Sequence, residues 1–351
     1  MRSERFSSLD IVRGFAIFLM IESHIAVILP SSALNYLSGI VAAPFFVLIS
    51  GLAFEFFVLS RIKRGNSRPR ILIETLSRGV TLFTITLLPY FIASIVMPST
   101  FPWVGIFKSS VFQVIAIGFI IGFFLQGRPV LKIIALALIL FSTPIFRSIG
   151  DLSFLTTDPF PPFPFLGFFV IGQIFSDIYT NKRIELINSR ILLCISILPL
   201  IILLPILLLS NTVFDRPALG QVHVFLLVCG AQFFFIVLFK VLVDRARHMV
   251  MFRSLEGIGR ISFSAYYLHW PFIFILAKIF SILSFTSSDF IIVLLLNLVI
   301  LMSITWVLSF IELKWSKYRY ALGVEWIFRK GSAQLVSLFE LLIKKARKSR
   351  A

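Results

Sequence analysis

The sequence has few charged residues for its length, and acidic residues are the scarcest of them. Of 351 residues only 14% are charged, with 16 Asp and Glu against 33 Lys and Arg, while 58% are hydrophobic and 15% aromatic. The mean hydropathy is +0.99. Because a soluble domain carries about 25% charged residues, this composition excludes an ordinary soluble protein. Lipid must solvate most of the surface.

Cysteine and the common phosphate or metal motifs are also scarce. The two cysteines, Cys194 and Cys229, lie inside apolar runs, where a thiol packs as a small hydrophobe. We therefore predict no disulfide and no metal site. The sequence contains no Walker loop, Gly-rich dinucleotide fingerprint or nucleophile elbow, which disfavours the enzyme classes that use them.

What the sequence does contain is a series of apolar runs, each long enough to cross the ~30 Å hydrocarbon core of a bilayer. Windows of about 19 residues predict ten spans, and therefore an all-α polytopic membrane protein. The predicted spans lie near residues 9–29, 40–60, 75–97, 108–126, 130–146, 162–179, 189–210, 219–242, 259–283 and 288–312. We expect residues 1–320 to form one helical bundle, because no separate soluble domain is visible.

The basic residues fall on alternate connections between the spans. Nineteen lie on one set of connections: Arg2, Arg5, Arg61, Lys63, Arg64, Arg68, Arg70, Arg128, Lys132, Lys182, Arg183, Arg190, Arg245, Arg247, Arg253, Arg260, Lys314, Lys317 and Arg319. The other set holds only Lys108, Arg147 and Arg216. The positive-inside rule then places both termini in the cytoplasm. Topology explains these short clusters better than a nucleic-acid partner does.

The chain ends in a basic segment, residues 321–351. Leu335, Leu338, Phe339, Leu342 and Ile343 recur there at helical spacing among lysines and arginines. This pattern predicts an amphipathic cytoplasmic helix lying against anionic lipid headgroups. A partly disordered basic tail is the alternative.

The first predicted span carries the most ionisable side chains: Asp10, Arg13, Glu22 and His24. Such groups are costly in a bilayer and indicate function. Arg13 and His24 are eleven residues apart, which on a helix leaves them about 20° apart around the axis and roughly 16 Å apart along it. They share one face, whereas Glu22 points almost oppositely.

A cytoplasmic arginine below a deeper histidine suits a long donor with an anionic head, such as acyl-coenzyme A. A neutral imidazole at the thioester could act as general base toward a hydroxyl or amine. The alternative is structural: Arg13 extends to the interface and His24 satisfies a neighbouring carbonyl.

Other polar residues in the spans are candidates with structural alternatives. His269 is a second acid–base or donor-binding candidate, or a packing histidine. Arg78 either contacts a donor phosphate or, like Glu55, forms a salt bridge that supports the bundle. The intramembrane amide of Gln173 is typical of helix–helix contacts.

The segment "RFSSLDIVRGFAIFLMIESH" resembles the first helix of the transmembrane acyltransferase superfamily, which reads Leu-Asp, two residues, Arg-Gly and then a His about ten residues on. "AAPFFVLISGLAF" and "LSRGVTLF" are similar to its second and third helices. "FPFLGFFVIGQIF" resembles the heparan-α-glucosaminide N-acetyltransferase-like branch, "ISFSAYYLHWPF" the acyltransferase-3 branch, and "LGVEWIFRKG" the tail of a third branch.

This resemblance implies a multi-pass enzyme that moves an acyl group, usually acetyl, from cytoplasmic acetyl-coenzyme A to a saccharide or other acceptor at the outer face. We expect it in the plasma membrane of a prokaryotic cell. Arg13 and His24 match the family's functional pair. We assign Asp10 to orienting Arg13, His24 to catalysis, and Arg13, Arg78 and His269 to the donor.

One departure from the heparan-modifying members limits what the resemblance implies. Those members have an Asn near the position of His24 and a reactive His in the following connection, whereas residues 25–45 here contain no His. We therefore expect direct transfer with His24 as base, not an acyl-histidine intermediate. Two other classes stay open: a transporter or flippase for an amphipathic or lipid-linked solute, and a membrane scaffold derived from the family.

Overall fold

The computed structural model of the chain describes residues 7–25, 33–96, 110–149, 154–157, 160–180, 196–198, 201, 222–246, 249–282, 290–317 and 323–348. Within these residues the regular secondary structure is helical and contains no strand. The helices are α1 (Ser7–Ile25), α2 (Ala33–Lys63), α3 (Arg68–Val96), α4 (Val111–Leu125), α5 (Pro129–Ser148), α6 (Phe154–Thr157), α7 (Pro162–Thr180), α8 (Val222–Ala246), α9 (Val250–Arg260), α10 (Ser262–Ile282), α11 (Phe290–Lys317) and α12 (Val324–Lys348).

Several of these helices are membrane-spanning by length and composition. Among the described residues, four segments are both long and apolar enough to cross a bilayer: Val41–Lys63, Pro129–Ser148, Val222–Leu242 and Leu298–Lys317. Two shorter apolar helices cover Val111–Leu125 and Pro162–Ser176. The predicted all-helical membrane architecture is therefore confirmed.

The number of spans and the orientation of the chain stay predictions. Most of the predicted span at residues 189–210 lies outside the described residues, as do both chain ends. Elsewhere helices overlap the predicted spans, including α1 on residues 9–29 and α11 on residues 288–312.

By its internal contacts the chain divides into two compact units. The first unit comprises Met1–Ile49, Lys182–Ala218 and Val222–Glu325. The second comprises Ser50–Asn181, Leu219–Gln221 and Trp326–Ala351. The predicted boundary near residue 320, between bundle and tail, stays a prediction.

The first unit is organised around α1, which contacts α8, α9, α10 and α11. Ile11, Ala16, Ile17 and Ile21 of this helix are completely buried. A helix whose apolar residues are buried on several sides lies at the centre of a bundle. The polar residues of α1 are therefore held among neighbouring helices.

The helix α9 lies mostly in the basic connection that the sequence predicts between the spans at 219–242 and 259–283, where no helix is predicted. This eleven-residue helix buries Phe252, Leu255 and Ile258, while Arg253 is exposed. The chain turns at Ile261, and α10 begins at the next residue.

The second unit buries aromatic side chains where α2, α4 and α7 meet. The ring centroids of Phe54 and Phe119 lie 5.2 Å apart, and those of Phe54 and Phe169 lie 5.8 Å apart. Phe169 packs directly over Gly118 and Gly122 of α4, where a Cβ atom would meet its ring at 2.7–2.8 Å. Glycine at these positions lets α7 approach α4 closely.

A fully buried ion pair lies in the same unit. Lys132 of α5 places its Nζ 3.2 Å from Oε1 of Glu55, and the two side chains are 0% and 1% exposed. Gln173 of α7 donates from Nε2 to Oε2 of Glu55 at 2.7 Å and to the Gly122 carbonyl at 3.1 Å. Lys132, which the sequence placed in a cytoplasmic connection, is thus an interior residue because Glu55 compensates its charge.

Candidate active site

Arg13 and Asp10 form an ion pair on the first turns of α1. Nη1 of Arg13 lies 3.3 Å from Oδ1 of Asp10, three residues away on the same face. Asp10 is buried and Arg13 is half-buried. The same Nη1 approaches the carbonyl oxygen of Gly259 at 3.4 Å. Two acceptors, one from α1 and one from α9, therefore hold the guanidinium.

Close contact between α1 and α9 brings the Gly259 carbonyl to Arg13. A Cβ atom on Gly14 would overlap the carbonyl oxygen of Leu255, and one on Gly259 would overlap the carbonyl oxygen of Asp10. Only residues without a side chain let two helix backbones approach this closely. The two glycines thus determine how near α9 comes to Arg13.

The direction of α9 and α10 follows from these pairings. Leu255 faces Gly14 and Gly259 faces Asp10, so α9 runs antiparallel to α1. After the turn at Ile261, His269 of α10 meets His24, eleven residues beyond Arg13, so α10 runs parallel to α1. This helical hairpin supplies contacts to both residues of the predicted functional pair.

His24 and His269 contact each other directly. Nδ1 of His24 lies 2.9 Å from Nε2 of His269, and the rings are stacked with centroids 5.0 Å apart and an interplanar angle of 12°. His24 is half-buried and His269 is fully buried. The Trp270 ring packs against His24 at a centroid distance of 4.4 Å.

The hydrogen bonds of this pair define the tautomers of its neutral form. Nδ1 of His269 lies 3.2 Å from the Ala265 carbonyl oxygen, which can only accept, so this nitrogen carries the proton. Nε2 of His269 is then the acceptor for Nδ1–H of His24. The unprotonated nitrogen of His24 is therefore Nε2, which is the atom that a general base uses.

A carboxylate that sequence analysis did not select holds the start of α10. Glu325 accepts a hydrogen bond from the Ser264 amide at 3.0 Å and contacts the Ser264 hydroxyl. That hydroxyl also accepts from the Val324 amide at 2.8 Å. A carboxylate at a helix start satisfies exposed amides and complements the helix dipole. Glu325 lies within the motif "LGVEWIFRKG", which is the feature of the sequence that could have identified it.

A cluster of three charged residues, which the sequence does not predict, joins α9 to α11. Arg260 places Nη2 2.6 Å from Oε1 of Glu256 and Nη1 3.4 Å from Oε1 of Glu312. Glu312 also lies beside Gly257, where a Cβ atom would be 3.3 Å from its Oε2. The sequence predicts Arg260 as one of the basic residues of a cytoplasmic connection. In the structure its ion pairs join the end of α9 to α11.

Arg78 belongs to the second unit and stacks on aromatic rings. Its guanidinium carbon lies 3.7 Å from the Phe57 ring centroid and 6.0 Å from that of Phe328. Among the described residues it makes no ion pair within 4.0 Å, so the predicted salt bridge is absent there. Within the same residues, no three His, Cys, Asp or Glu side chains converge as metal ligands.

Comparison with known protein families decides the class of this molecule. The acyltransferase-3 family model, described as an acyltransferase domain, matches residues 6–311. The chain belongs to the acyltransferase-3 family. This acyltransferase-3 protein carries Asp10, Arg13, His24, Arg78 and His269 inside the matched range. A search of curated proteins finds no match.

Family membership confirms part of what the sequence motifs predicted. The acyltransferase-3 protein is a membrane acyltransferase, as its apolar helices and family domain together show. The resemblance to the heparan-α-glucosaminide N-acetyltransferase-like branch stays a prediction. The helix α12, which begins at Val324, lies beyond the matched residues.

Proposed function

We propose that the acyltransferase-3 protein transfers an acetyl group from cytoplasmic acetyl-coenzyme A to a hydroxyl or amine of a saccharide at the outer face of a prokaryotic plasma membrane. The observation that carries this proposal is the 2.9 Å contact between His24 and His269. It makes Nε2 of His24 the basic nitrogen in a half-buried position on α1.

In the proposed reaction His24 acts as general base. Nε2 of His24 takes the proton of the acceptor hydroxyl or amine as its oxygen or nitrogen attacks the thioester carbonyl carbon. The new carbon–oxygen or carbon–nitrogen bond forms, the carbon–sulfur bond breaks, and the imidazolium returns the proton to the coenzyme A thiolate. His269 stabilises the imidazolium by accepting from Nδ1–H, so it is a positioning residue.

Arg13 is proposed to bind the anionic part of the donor. It lies about 16 Å from His24 along α1, given the ~1.5 Å rise per residue. A guanidinium presents five donors, so Arg13 can keep Asp10 and Gly259 as acceptors while still contacting a phosphate. The donor would then extend along α1 from Arg13 to the imidazole.

Calorimetry of the purified full-length protein with coenzyme A tests donor binding and discriminates an acyltransferase from a transporter of another solute. We expect binding, and about tenfold weaker binding in Arg13→Gln, because a hydrogen bond to a charged group is lost. Absence of coenzyme A binding in the wild type would contradict the donor assignment. Mass spectrometry of cell-envelope glycans and lipids, with and without the protein, would then identify the acceptor.

A further inference from the structure

The second unit contains a basic cavity whose lining includes neither His24 nor His269. It has a volume of about 370 Å³ and is lined by Arg61, Glu74, Arg78, Phe328, Arg329 and Ser332, among others. Small-molecule pockets begin at about 300 Å³. The cavity is therefore large enough to hold a phosphate group and part of the molecule that carries it.

The charges around this cavity favour an anion. Three arginines and one glutamate line it, which leaves two net positive charges. Glu74 is already engaged, because its Oε2 lies 2.8 Å from Nε of Arg61 and its Oε1 lies 3.7 Å from Nε of Arg70. Glu74 therefore pairs with Arg61, and the lining as a whole stays positively charged.

Arg78 is held in a way that suits anion binding. Its guanidinium lies against the Phe57 ring, with the carbon 3.7 Å from the centroid. Stacking fixes a guanidinium by its face and leaves its N–H donors at the edge, where they match phosphate oxygens in a bidentate arrangement. The ring therefore preorganises a phosphate-binding side chain.

The other wall of the cavity comes from α12, which lies outside the residues that match the acyltransferase-3 family. Ser332 of this helix donates to Oγ1 of Thr81 at 3.3 Å. Gly331 lies against the same threonine, where a Cβ atom would be 3.0 Å from its methyl group. These contacts join α12 to α3 and set Arg329 beside the cavity that Arg78 lines.

We propose that Arg78 and Arg329 bind the phosphate group of an amphipathic ligand in this cavity, so that the C-terminal helix completes an anion site the family domain alone does not contain. The phosphate belongs either to coenzyme A or to the headgroup of an anionic lipid. The coenzyme A source rests on the proposed function, whereas the lipid source does not.

Two binding measurements on the full-length protein distinguish these sources. Coenzyme A binding is measured by calorimetry in a neutral detergent. Phosphatidylglycerol binding is measured by native mass spectrometry, with phosphatidylcholine as the reference lipid. The variants are Arg78→Gln and Arg329→Gln. The control is Lys330→Gln, which removes one charge from an exposed neighbour on α12 that does not line the cavity.

We expect both arginine variants to weaken one of the two ligands about tenfold, since each removes a charged donor to phosphate, while Lys330→Gln changes neither by more than about twofold. Loss of coenzyme A affinity supports the site with the donor as ligand. Loss of phosphatidylglycerol affinity alone supports the site with a lipid headgroup as ligand. Unchanged affinity for both ligands in Arg329→Gln, a substitution at an exposed side chain, would overturn the proposal. Both binding measurements are independent of acyl transfer by His24.

Discussion

At the scale of single residues, the proposed reaction assigns different roles to the two histidines: the half-buried His24 is the base and the buried His269 is its partner. His24 is the group that faces the reacting atoms in the proposed reaction, and His269 fixes its tautomer through the 2.9 Å contact. In turn the Ala265 carbonyl fixes His269 at 3.2 Å. The tautomer of His24 in the proposed reaction therefore depends on a residue of another helix.

Replacing His269 tests this dependence. We expect His269→Ala to lower kcat about 100-fold, which is the lower end of what general-base catalysis contributes, with little change in the KM for the acyl donor. His269→Gln should recover part of the loss, because its amide oxygen can accept from Nδ1–H of His24. Steady-state kinetics of the purified variants would measure both parameters. Equal activity of His269→Ala and wild type would contradict the positioning role.

Residues on one helix could be related from the sequence, whereas contacts between helices could not. The helical period alone put Arg13 and His24 on one face of α1. It could not pair His24 with His269, because the two are 245 positions apart and only the α9–α10 turn brings them together. The pairing of Glu325 with Ser264 could not be predicted for the same reason, since the two residues lie in different helices.

At the scale of helices, the crossing of α1 and α9 determines the surroundings of Arg13. We expect Gly14→Ala and Gly259→Ala each to lower stability by about 1–3 kcal/mol or more, because the new methyl group overlaps a backbone carbonyl that cannot rotate away. Thermal unfolding in detergent measures the effect. Gly79→Ala is the control, because its Cβ atom would lie 3.3 Å from the Ala116 carbonyl oxygen, whereas the Cβ atoms at Gly14 and Gly259 would lie only 1.9 Å and 1.8 Å from a carbonyl oxygen. We therefore expect a smaller loss of stability in the control. Equal stability of all three variants would contradict the tight crossing.

The buried pair of Lys132 and Glu55 makes a second prediction at this scale. Lys132→Met leaves the Glu55 charge in the interior, which costs about 3–5 kcal/mol. The double variant Glu55→Gln/Lys132→Met removes both charges and should be the more stable of the two. Their thermal unfolding temperatures provide the comparison. A single variant at least as stable as the double variant would exclude a compensated ion pair.

Helix prediction from sequence succeeded for long apolar runs and failed for α9. The runs now assigned to α2, α5, α8 and α11 were detected because hydropathy alone identifies them. In contrast, α9 is only eleven residues long and carries Arg253, Glu256 and Arg260. A window of about 19 residues averages such a helix with its neighbours, so its apolar face is lost.

At the scale of the whole molecule, the charge distribution predicts which side of the membrane each connection faces. Arg64 lies in the turn between α2 and α3 and Arg147 near the end of α5, and both are exposed. In a chain whose Cys194 and Cys229 are replaced by Ala, we expect Arg64→Cys to react with a membrane-impermeant maleimide only from the cytoplasmic side. Arg147→Cys should react only from the outside. Labelling of both from one side would contradict the ten-span topology.

The predicted topology, with the amino terminus in the cytoplasm, would put Arg13 nearer the cytoplasm than His24 on α1. In the proposed reaction the donor then binds from the cytoplasm and the acyl group is delivered nearer the outer face. The acyltransferase-3 family model matches residues 6–311, which supports acyl transfer as the reaction. The identity of the acceptor depends on the connections at the outer face.

The most direct test is acylation of the cell envelope by wild type, His24→Ala and His223→Ala, each at equal membrane abundance. His223 is the matched control, because it is an exposed histidine of the same unit that takes no part in the site. Mass spectrometry would quantify acetylated glycans and lipids. We expect His24→Ala to lose at least about 100-fold of the acetylated product and His223→Ala to retain it. Wild-type levels of acetylated product in His24→Ala would contradict the assignment of His24 as the base.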